Sequence, residues 1–417
     1  MVVLLLVLGV MVWLACLAWN FHNNRGAPSV SAATSNSSQA HPLGLVQKFL
    51  TREMISDFSL QAHPRVSILI PARNEAANLA KTLPAFLSQE YDNFEVILAD
   101  DASTDGTAKL AESFASRQPG RLRVIRIESL PPGWVGKTHA LQQAFQAADG
   151  DWVLATDADI EFHPQALRAG LWLAEQQQAE LVSLWPFLEC RSFWEKLMMP
   201  VFGGMLATIF PLRKINDPRS SVALASGGYI LMRRQTWAGL GGYEAIRAEM
   251  IDDLNTARRL KHSGHRIFVA VTRSLVRTRM YANFAEIWEG LRKNAFAAHR
   301  FFVFRLLALT TGIWFTTLLP LAALVYAVLQ WAANGGEFSD GHGLLFSLSL
   351  AQYALSVSLH LVLVYFYRIP WGYALLAPLG AFLYTVIALD SMLRTLLGKG
   401  VSWKLRQYGK PSWEAEK

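Results

Sequence analysis

Asp151-Trp152-Val153-Leu154-Ala155-Thr156-Asp157-Ala158-Asp159-Ile160 joins an apolar run to a pair of acids, and the rest of the chain converges on it. Trp152 to Ala155 has the composition of a buried parallel strand, and the run stops abruptly at Asp157-Ala158-Asp159. In open α/β sheets, ligands bind at the carboxyl ends of the strands. Residues i and i+2 of an extended segment point the same way. Both carboxylates are therefore expected to reach one hard cation, Mg2+ or Mn2+, whose remaining positions go to water and phosphate oxygens. A lone D-x-D also fits an acidic turn capping a helix that begins near Pro164, so the flanking sequence has to decide.

With 417 residues, 52% of them hydrophobic, and a positive mean hydropathy, the chain is too long for one ordinary domain and too apolar to be wholly soluble. Val2 to Trp19, Leu306 to Trp331, Gly343 to Tyr367 and Ile369 to Leu389 carry no charge, and each is long enough to cross a hydrocarbon core as a helix. The first segment lacks the basic start and small-residue cleavage site of a signal peptide, and Trp13 spoils a lipoprotein site at Cys16, so it reads as a retained anchor. Two cysteines make no disulfide framework, which places the folded middle in a reducing cytoplasm. The net charge of +7 is concentrated near the apolar segments, at Arg292, Lys293, Arg300, Arg305, Lys399, Lys404 and Arg406. That distribution suits anionic lipid head groups and not nucleic acid.

The expected organisation is an anchor over 1–21, a flexible linker rich in Ser, Asn, Ala and Pro over 22–62, an α/β domain with interfacial helices over 63–304, transmembrane segments over 305–397 and a basic tail over 398–417. Within the α/β part, Val66 to Ile70, Phe94 to Ala99, Val124 to Ile127, Trp152 to Ala155 and Leu181 to Trp185 alternate with helical stretches, the pattern of βαβ units and a parallel sheet. The first two runs end in Pro71-Ala72-Arg73-Asn74-Glu75 and in Asp100-Asp101-Ala102-Ser103-Thr104-Asp105-Gly106-Thr107, both polar enough to hold a ligand.

Two motif matches fail on context. Asp101, Ser103, Asp105, Gly106 and Glu112 follow EF-hand spacing, but a strand precedes them instead of the entering helix. Gly136-Lys137-Thr138 resembles the end of a P-loop, yet Pro131 stands where the first glycine belongs. Gly133 to His139 reads instead as a loop entering a helix over Thr138 to Ala147, whose first amides and Lys137 could face phosphate. A solvated lysine is the alternative.

Taken in order, VSILIPARNEAANL, VILADDASTDGT, GWVGKTHAL, ATDAD, SGGYILMRR, GLGGYEAI and MIDDLNTARRLKHSGHRIFVA resemble the family 2 glycosyltransferases of the GT-A fold, a Rossmann-like mixed sheet that handles nucleotide-diphospho-sugars. The similarity covers roughly Arg65 to Arg300. It is greatest to the membrane-bound members associated with hopanoid and carotenoid biosynthesis, the latter favoured by MYANFAEIWEGLRKNAF.

The resemblance implies that Pro71, Ala72 and Glu75 flank the nucleotide's base and ribose, that Asp101, with Asp100 as a second candidate beside it, accepts from uracil, and that Asp157 and Asp159 hold a divalent ion on the donor diphosphate. In Ile251-Asp252-Asp253 the family's E-D pair appears as D-D. Asp253 takes the general-base position, and Asp252 remains open for the same role. Chemically, a cation stabilises the charge that builds on a leaving diphosphate, and a positioned carboxylate takes the proton of an acceptor hydroxyl. Asp252 and Asp253 also read simply as acids favourable to a helix N-terminus over Leu254 to Lys261. His262 and His265 read as surface residues at a helix end.

Phe193 to Arg213 is an interrupted apolar stretch, expected as a helix on the membrane surface or over an acceptor groove, with a buried core helix as the alternative. No Q-x-x-R-W of the processive synthases occurs in Arg292 to Phe302, which favours a single sugar transfer. Topology is in conflict: a cytoplasmic catalytic domain followed by three spans puts the tail outside, whereas its five basic residues against two acidic ones favour the inside.

The leading expectation is a membrane-integral, metal-dependent, inverting glycosyltransferase moving one sugar from a UDP-linked donor to a lipid such as a carotenoid or hopanoid. Transfer to a polyprenyl phosphate, or a catalytically silent nucleotide-binding scaffold, are the alternatives.

Overall fold

The computed structural model describes residues 2–24, 27–32, 51–56, 58–298, 302–338, 341–397, 401–403 and 406–408. These fall into two compact units. One comprises Asn23–Glu189 and Phe210–Met280; the other comprises Met1–His22, Cys190–Ile209 and Tyr281–Lys417.

The first unit is built on a nine-stranded sheet. Its strands are β1 (Ala27–Ala32), β2 (Thr51–Ser56), β3 (Val66–Ala72), β4 (Phe94–Asp101), β5 (Leu122–Ile127), β6 (Trp152–Ala155), β8 (Leu181–Trp185), β10 (Ile230–Arg233) and β11 (Ile267–Thr272), in the order β2-β1-β11-β8-β10-β6-β3-β4-β5. Every neighbouring pair is parallel except those of β10, which runs antiparallel to both β6 and β8. A smaller sheet, β7 (Ile160–Phe162), β12 (Val276–Thr278) and β9 (Phe187–Leu188), lies beyond the ends of β6 and β8.

The central strands β3, β4 and β6 are buried at every position but the half-buried Pro71, which is why they read as nearly continuous apolar runs. Alternate residues Val66, Ile68 and Ile70 share a core with Val96, Leu98 and Leu154 and with the helix Ala76–Leu87 through Leu79, Leu83 and Phe86. At the opposite edge from the ligand-binding ends, buried Glu95 accepts from Ser67 Oγ (2.8 Å) and from Asp149 N–H (3.1 Å), joining β3, β4 and the approach to β6.

Part of the stretch read as a flexible linker is sheet: Ala27–Ala32 pairs with β11 and Thr51–Ser56 pairs with Ala27–Ala32. The edge of β11 offers free backbone groups, and pairing them outweighs a composition poor in large apolar residues. Residues 33–50 of that linker, and most of the basic tail over 398–417, lie outside the described residues.

Among the described residues four helices are long and apolar enough to cross a membrane, Val2–Asn24, Val303–Ala333, His342–Phe366 and Trp371–Leu396, of 23, 31, 25 and 26 residues; apart from Asn23 and Asn24 they lie in the second unit. The interrupted stretch after Phe193 is one helix, Phe193–Ile209. It packs against the helix Ala377–Leu396, where the missing side chain of Gly380 admits the Leu197 carbonyl. It therefore belongs with the long apolar helices and not with the sheet, a different grouping from the 63–304 domain expected above.

Replacing Glu95 with Leu leaves Ser67 Oγ and the Asp149 amide without their buried acceptor. A loss of about 1–3 kcal/mol is expected, seen as a lower thermal unfolding midpoint of the detergent-solubilised chain.

Candidate active site

The carboxyl ends of β3, β4 and β6 and the start of β10 meet at one edge of the sheet. Because β10 is antiparallel, its amino end lies there, which brings Ser226-Gly227-Gly228 beside the acids that follow β6.

Loops after β3 and β4 are laced together. Arg73 Nη1 donates to Asp101 O (2.6 Å), Asn74 N–H to Ser103 Oγ (2.9 Å), Glu75 N–H to Thr107 Oγ1 (2.8 Å) and Ala76 N–H to Asp105 Oδ2 (3.0 Å). Asn74 and Ala102 take positive φ, 53° and 52°, to make the turns. Burial works against the charged form of Asp105, but hydrogen bonds from Thr107 and Ala76 outweigh it and hold the carboxyl below its ordinary value. A carboxylate so engaged is a turn and cap element, which gives the EF-hand-like spacing its structural reason.

Asp100 and Asp101 are both buried at the end of β4, and Ala72 is paired with Asp100 across the sheet. Asp100 Oδ2 accepts from Ser103 N–H at 3.4 Å, whereas its Oδ1 is buried and has no partner among the described residues. Such an atom is costly unless a ligand donor satisfies it. Pro71 and Glu75 border the same loop, with Glu75 Oε2 accepting from Asn78 Nδ2 (2.7 Å).

The strand β6 ends at Ala155, so Asp157 and Asp159 lie in a turn and not in the extended segment expected for them. Asp157 Oδ1 pairs with Lys137 Nζ at 2.7 Å, and Asp159 Oδ2 accepts from Thr278 Oγ1 at 3.2 Å. Burial, then the Asp157 and Glu75 carboxylates, push Asp159 up to about 6. A group of acids this short of positive charge fits a divalent cation. Among the described residues no cluster of three or more His, Cys or carboxylate groups forms a protein-only cage, so the remaining ligands would come from the bound molecule or water.

Lys137 sits in the first turn of the helix Gly136–Gln146. Thr138 Oγ1 donates to Val135 O and Arg247 O, and Val135 N–H donates to Arg247 O, fixing this helix start against the segment that leads to Asp252. Lys137 Nζ thereby reaches Asp252 Oδ1 (3.1 Å) as well as Asp157. Burial disfavours its charge, but Asp157, Asp252 and Asp253 hold its pKa well above the ordinary lysine value.

Asp252 and Asp253 open the helix Asp252–His262. Asp253 Oδ1 accepts from Leu254 N–H (2.7 Å) and Oδ2 from Gly227 N–H (3.0 Å). Burial and the adjacent Asp252 push Asp253 up to about 6, against the opposing pull of Lys137 and these two amides.

Gly227 is the point of convergence. A Cβ there would lie 3.0 Å from Asp157 Oδ2, 3.2 Å from Lys137 Nζ and 3.5 Å from Asp253 Oδ2. The sequence shows a Gly-Gly pair, but only the antiparallel entry of β10 reveals that its missing side chain opens onto three charged groups. Thr278, which hydrogen-bonds Asp159, comes from 119 residues along the chain and carries no local signal.

The sequence model for glycosyl transferase family 2 matches residues 67–237. The chain carries a family 2 glycosyltransferase domain. Its nine-stranded mixed sheet is that of the GT-A fold, and the match includes Asp101, Lys137, Asp157, Asp159 and Gly227, while Asp252 and Asp253 lie beyond it.

The chain is 25% identical over 359 residues to the 4,4'-diaponeurosporenoate glycosyltransferase of Staphylococcus aureus (strain USA300), covering 83% of this chain and 88% of that relative. It is 28% identical over 218 residues to EpsE of Bacillus subtilis (strain 168), named as a candidate glycosyltransferase, covering 50% and 70% respectively. Among solved structures, the mannosyltransferase PcManGT of Pyrobaculum calidifontis, in complex with GDP-Man and Mn2+, matches with a TM-score of 0.45 and 21% identity, over 72% of this chain and 87% of that one. The family match and the named relatives agree on the reaction class, glycosyl transfer.

In the Gly227→Ala variant the new methyl enters the space between Asp157, Lys137 and Asp253. Sugar transfer by the glycosyltransferase domain is expected to fall at least tenfold while the unfolding midpoint shifts by only a few degrees; wild-type turnover would show that the space is not used.

Proposed function

We propose that the chain is a metal-dependent, inverting glycosyltransferase that moves one sugar from a nucleotide donor, UDP-linked, to a hydroxyl or carboxyl of a membrane lipid of the carotenoid or hopanoid type. The observation that carries this reading is the convergence of Asp157, Lys137 and Asp253 on the space above Gly227. The S. aureus relative, whose name places a carotenoid acid as its acceptor, supports the lipid class.

On this reading Asp100 and Asp101 recognise the base, beside Pro71, Ala72 and Glu75. Asp157 and Asp159 hold Mg2+ or Mn2+, which when bound supplies positive charge to the leaving diphosphate. Lys137, already poised between two carboxylates, contributes a second cation to that diphosphate. The acceptor oxygen forms its bond to the anomeric carbon from the side opposite the phosphate. The carbon–oxygen bond to phosphate breaks with its electron pair leaving on the diphosphate, and the acceptor's proton passes to a carboxylate.

Asp253 is assigned that proton. Asp252 is engaged with Lys137, whereas both Asp253 oxygens receive a backbone N–H that fixes their direction, and its raised pKa makes it a stronger base than an ordinary aspartate.

The four long apolar helices are read as membrane spans, and the sheet-bearing unit as cytoplasmic. An acceptor dissolved in the bilayer is then met at a local concentration that free solution does not offer.

Asp253→Asn is expected to lower transfer in membranes by about 10²–10⁴-fold with donor binding retained. Normal turnover in that folded variant would remove Asp253 from the mechanism. Since the base works only when deprotonated and its pKa is raised to about 6, wild-type kcat/KM should fall on the acid side of about pH 6. Lys137→Met should weaken donor binding and turnover together, measured by nucleotide-sugar titration and initial rates.

A further inference from the structure

Trp185, the last residue of β8, brings to the ligand edge of the sheet a polar atom that the transfer mechanism leaves unused. Its side chain is half-buried, and its Nε1 is buried with no hydrogen-bond partner among the described residues. An indole N–H can only donate, so the cost of burying it is recovered only when an acceptor reaches it. Packing alone does not call for such an atom: phenylalanine or leucine would fill the place with no polar group at all.

Strand register sets this residue beside the cleft. Ala155, Ile230 and Ser183 form one row across β6, β10 and β8. Counted two residues further toward the ligand edge, the row becomes Asp157, Gly228 and Trp185. Side-chain contacts agree with that count: Thr156 Oγ1 donates to Gly228 O (2.9 Å), and a Cβ on Gly228 would lie 2.6 Å from Pro186 Cγ. Ser183, two residues before Trp185 and on the same face of the strand, accepts through its Oγ from Ser226 N–H (2.9 Å), while the next amide, that of Gly227, goes to Asp253. The glycine pair therefore lies between Asp157 on one side and Trp185 on the other.

Strand spacing turns this order into a distance. Neighbouring strands lie about 4.8 Å apart, so Trp185 stands roughly 10 Å across the sheet from the end of β6. Along the order β4-β3-β6-β10-β8, the base is read at β4 and the diphosphate at β6. The next group of a nucleotide-sugar is its sugar, and it falls over β10 and β8, where two glycines leave room and an indole follows.

We propose that Trp185 binds the sugar being transferred, its Nε1–H donating to a sugar hydroxyl, and so helps to decide which sugar the enzyme accepts. Epimers differ in the direction of one hydroxyl, and a fixed N–H that serves one of them is left unpaired against another. The indole also supplies apolar surface for the C–H side of the ring. The inference rests on the nucleotide-donor reading above and deepens it.

The test reads donor binding without acceptor or turnover. The full chain in detergent, with Mn2+ present, is titrated by calorimetry with UDP, GDP, UDP-glucose, UDP-galactose, UDP-N-acetylglucosamine and GDP-mannose. Each sugar nucleotide is compared with its parent nucleotide, which cancels the contribution of base and diphosphate. The unmutated chain is expected to separate the tightest sugar from the weakest by about tenfold. Trp185→Phe, which keeps a ring and removes the N–H, should reduce that spread to about twofold while the affinity for UDP or GDP stays as it was.

A spread that survives in Trp185→Phe overturns the proposal, as does a variant that loses parent nucleotide and sugar nucleotide equally. The unmutated chain gives a second measurement that does not depend on how the variant folds: among deoxy analogues of the preferred sugar nucleotide, one is expected to bind about tenfold more weakly, and equal binding of all of them overturns the proposal as well. Failure to bind UDP and GDP at all would instead strike the nucleotide-donor reading, taking this inference with it, and is told apart from normal nucleotide binding with no discrimination among sugars.

Discussion

The ammonium of Lys137 between the carboxylates of Asp157 and Asp252 is the interaction on which the arrangement of the cleft depends. Three separate parts of the chain contribute those groups: the start of one helix, the turn after β6 and the start of another helix. Without the cation, Asp157, Asp252 and Asp253 would crowd like charges into a half-buried space. The lysine offsets that repulsion. Asp253 is still pushed up to about 6 because burial and the adjacent Asp252 outweigh the lysine, and Asp159 is pushed as far by burial and by the Asp157 and Glu75 carboxylates.

Sheet topology explains why these groups meet. In a wholly parallel sheet every carboxyl end would point to one edge and every amino end to the other, and a loop entering a strand could not share the site. The reversed strand β10 breaks that rule and carries Gly227 to the ligand edge, where its amide holds Asp253 and its missing side chain leaves room. One antiparallel strand thus lets the acids behind β6 and the acid pair near residue 252 face one space. The Thr156 hydroxyl, donating to Gly228 O at 2.9 Å, locks the two sides of that space together.

The elements legible in the sequence are those whose signal is local. Trp152–Ala155 and Leu181–Trp185 occur where their apolar runs end, because strands buried on both faces need apolar residues at every position. The strand Ile230–Arg233 is hidden by its brevity and by the pair Arg233-Arg234 at its end, and its antiparallel direction is written nowhere in its residues. Ala27–Ala32 was missed for a different reason: its composition is that of a linker, and the pairing partner that orders it lies some 240 positions away at Ser29↔Val271. The acids of the site could be named from motifs, but their pairing could not. That Asp252 engages Lys137 while Asp253 is held by two amides depends on a helix start fixed by Val135 and Arg247. Asp157 and Asp159 do not share an extended segment, because the strand stops two residues before the first of them.

The unit of long apolar helices is joined by contacts of the same kind. Apolar surroundings offer no partner to a backbone carbonyl that leaves its helical ladder, so a break in such a helix has to be answered by a neighbour. The helix Val303–Ala333 contains a π turn over Trp314–Leu318, and the Thr316 carbonyl there accepts from Trp13 Nε1 of the helix Val2–Asn24 at 2.7 Å. On the same helix, Gly9 supplies the close approach that Gln352 requires. A segment serving only as a hydrophobic tether would need neither an indole aimed at a displaced carbonyl nor a glycine under a glutamine amide. The first helix is therefore held to the other long apolar helices by polar contacts.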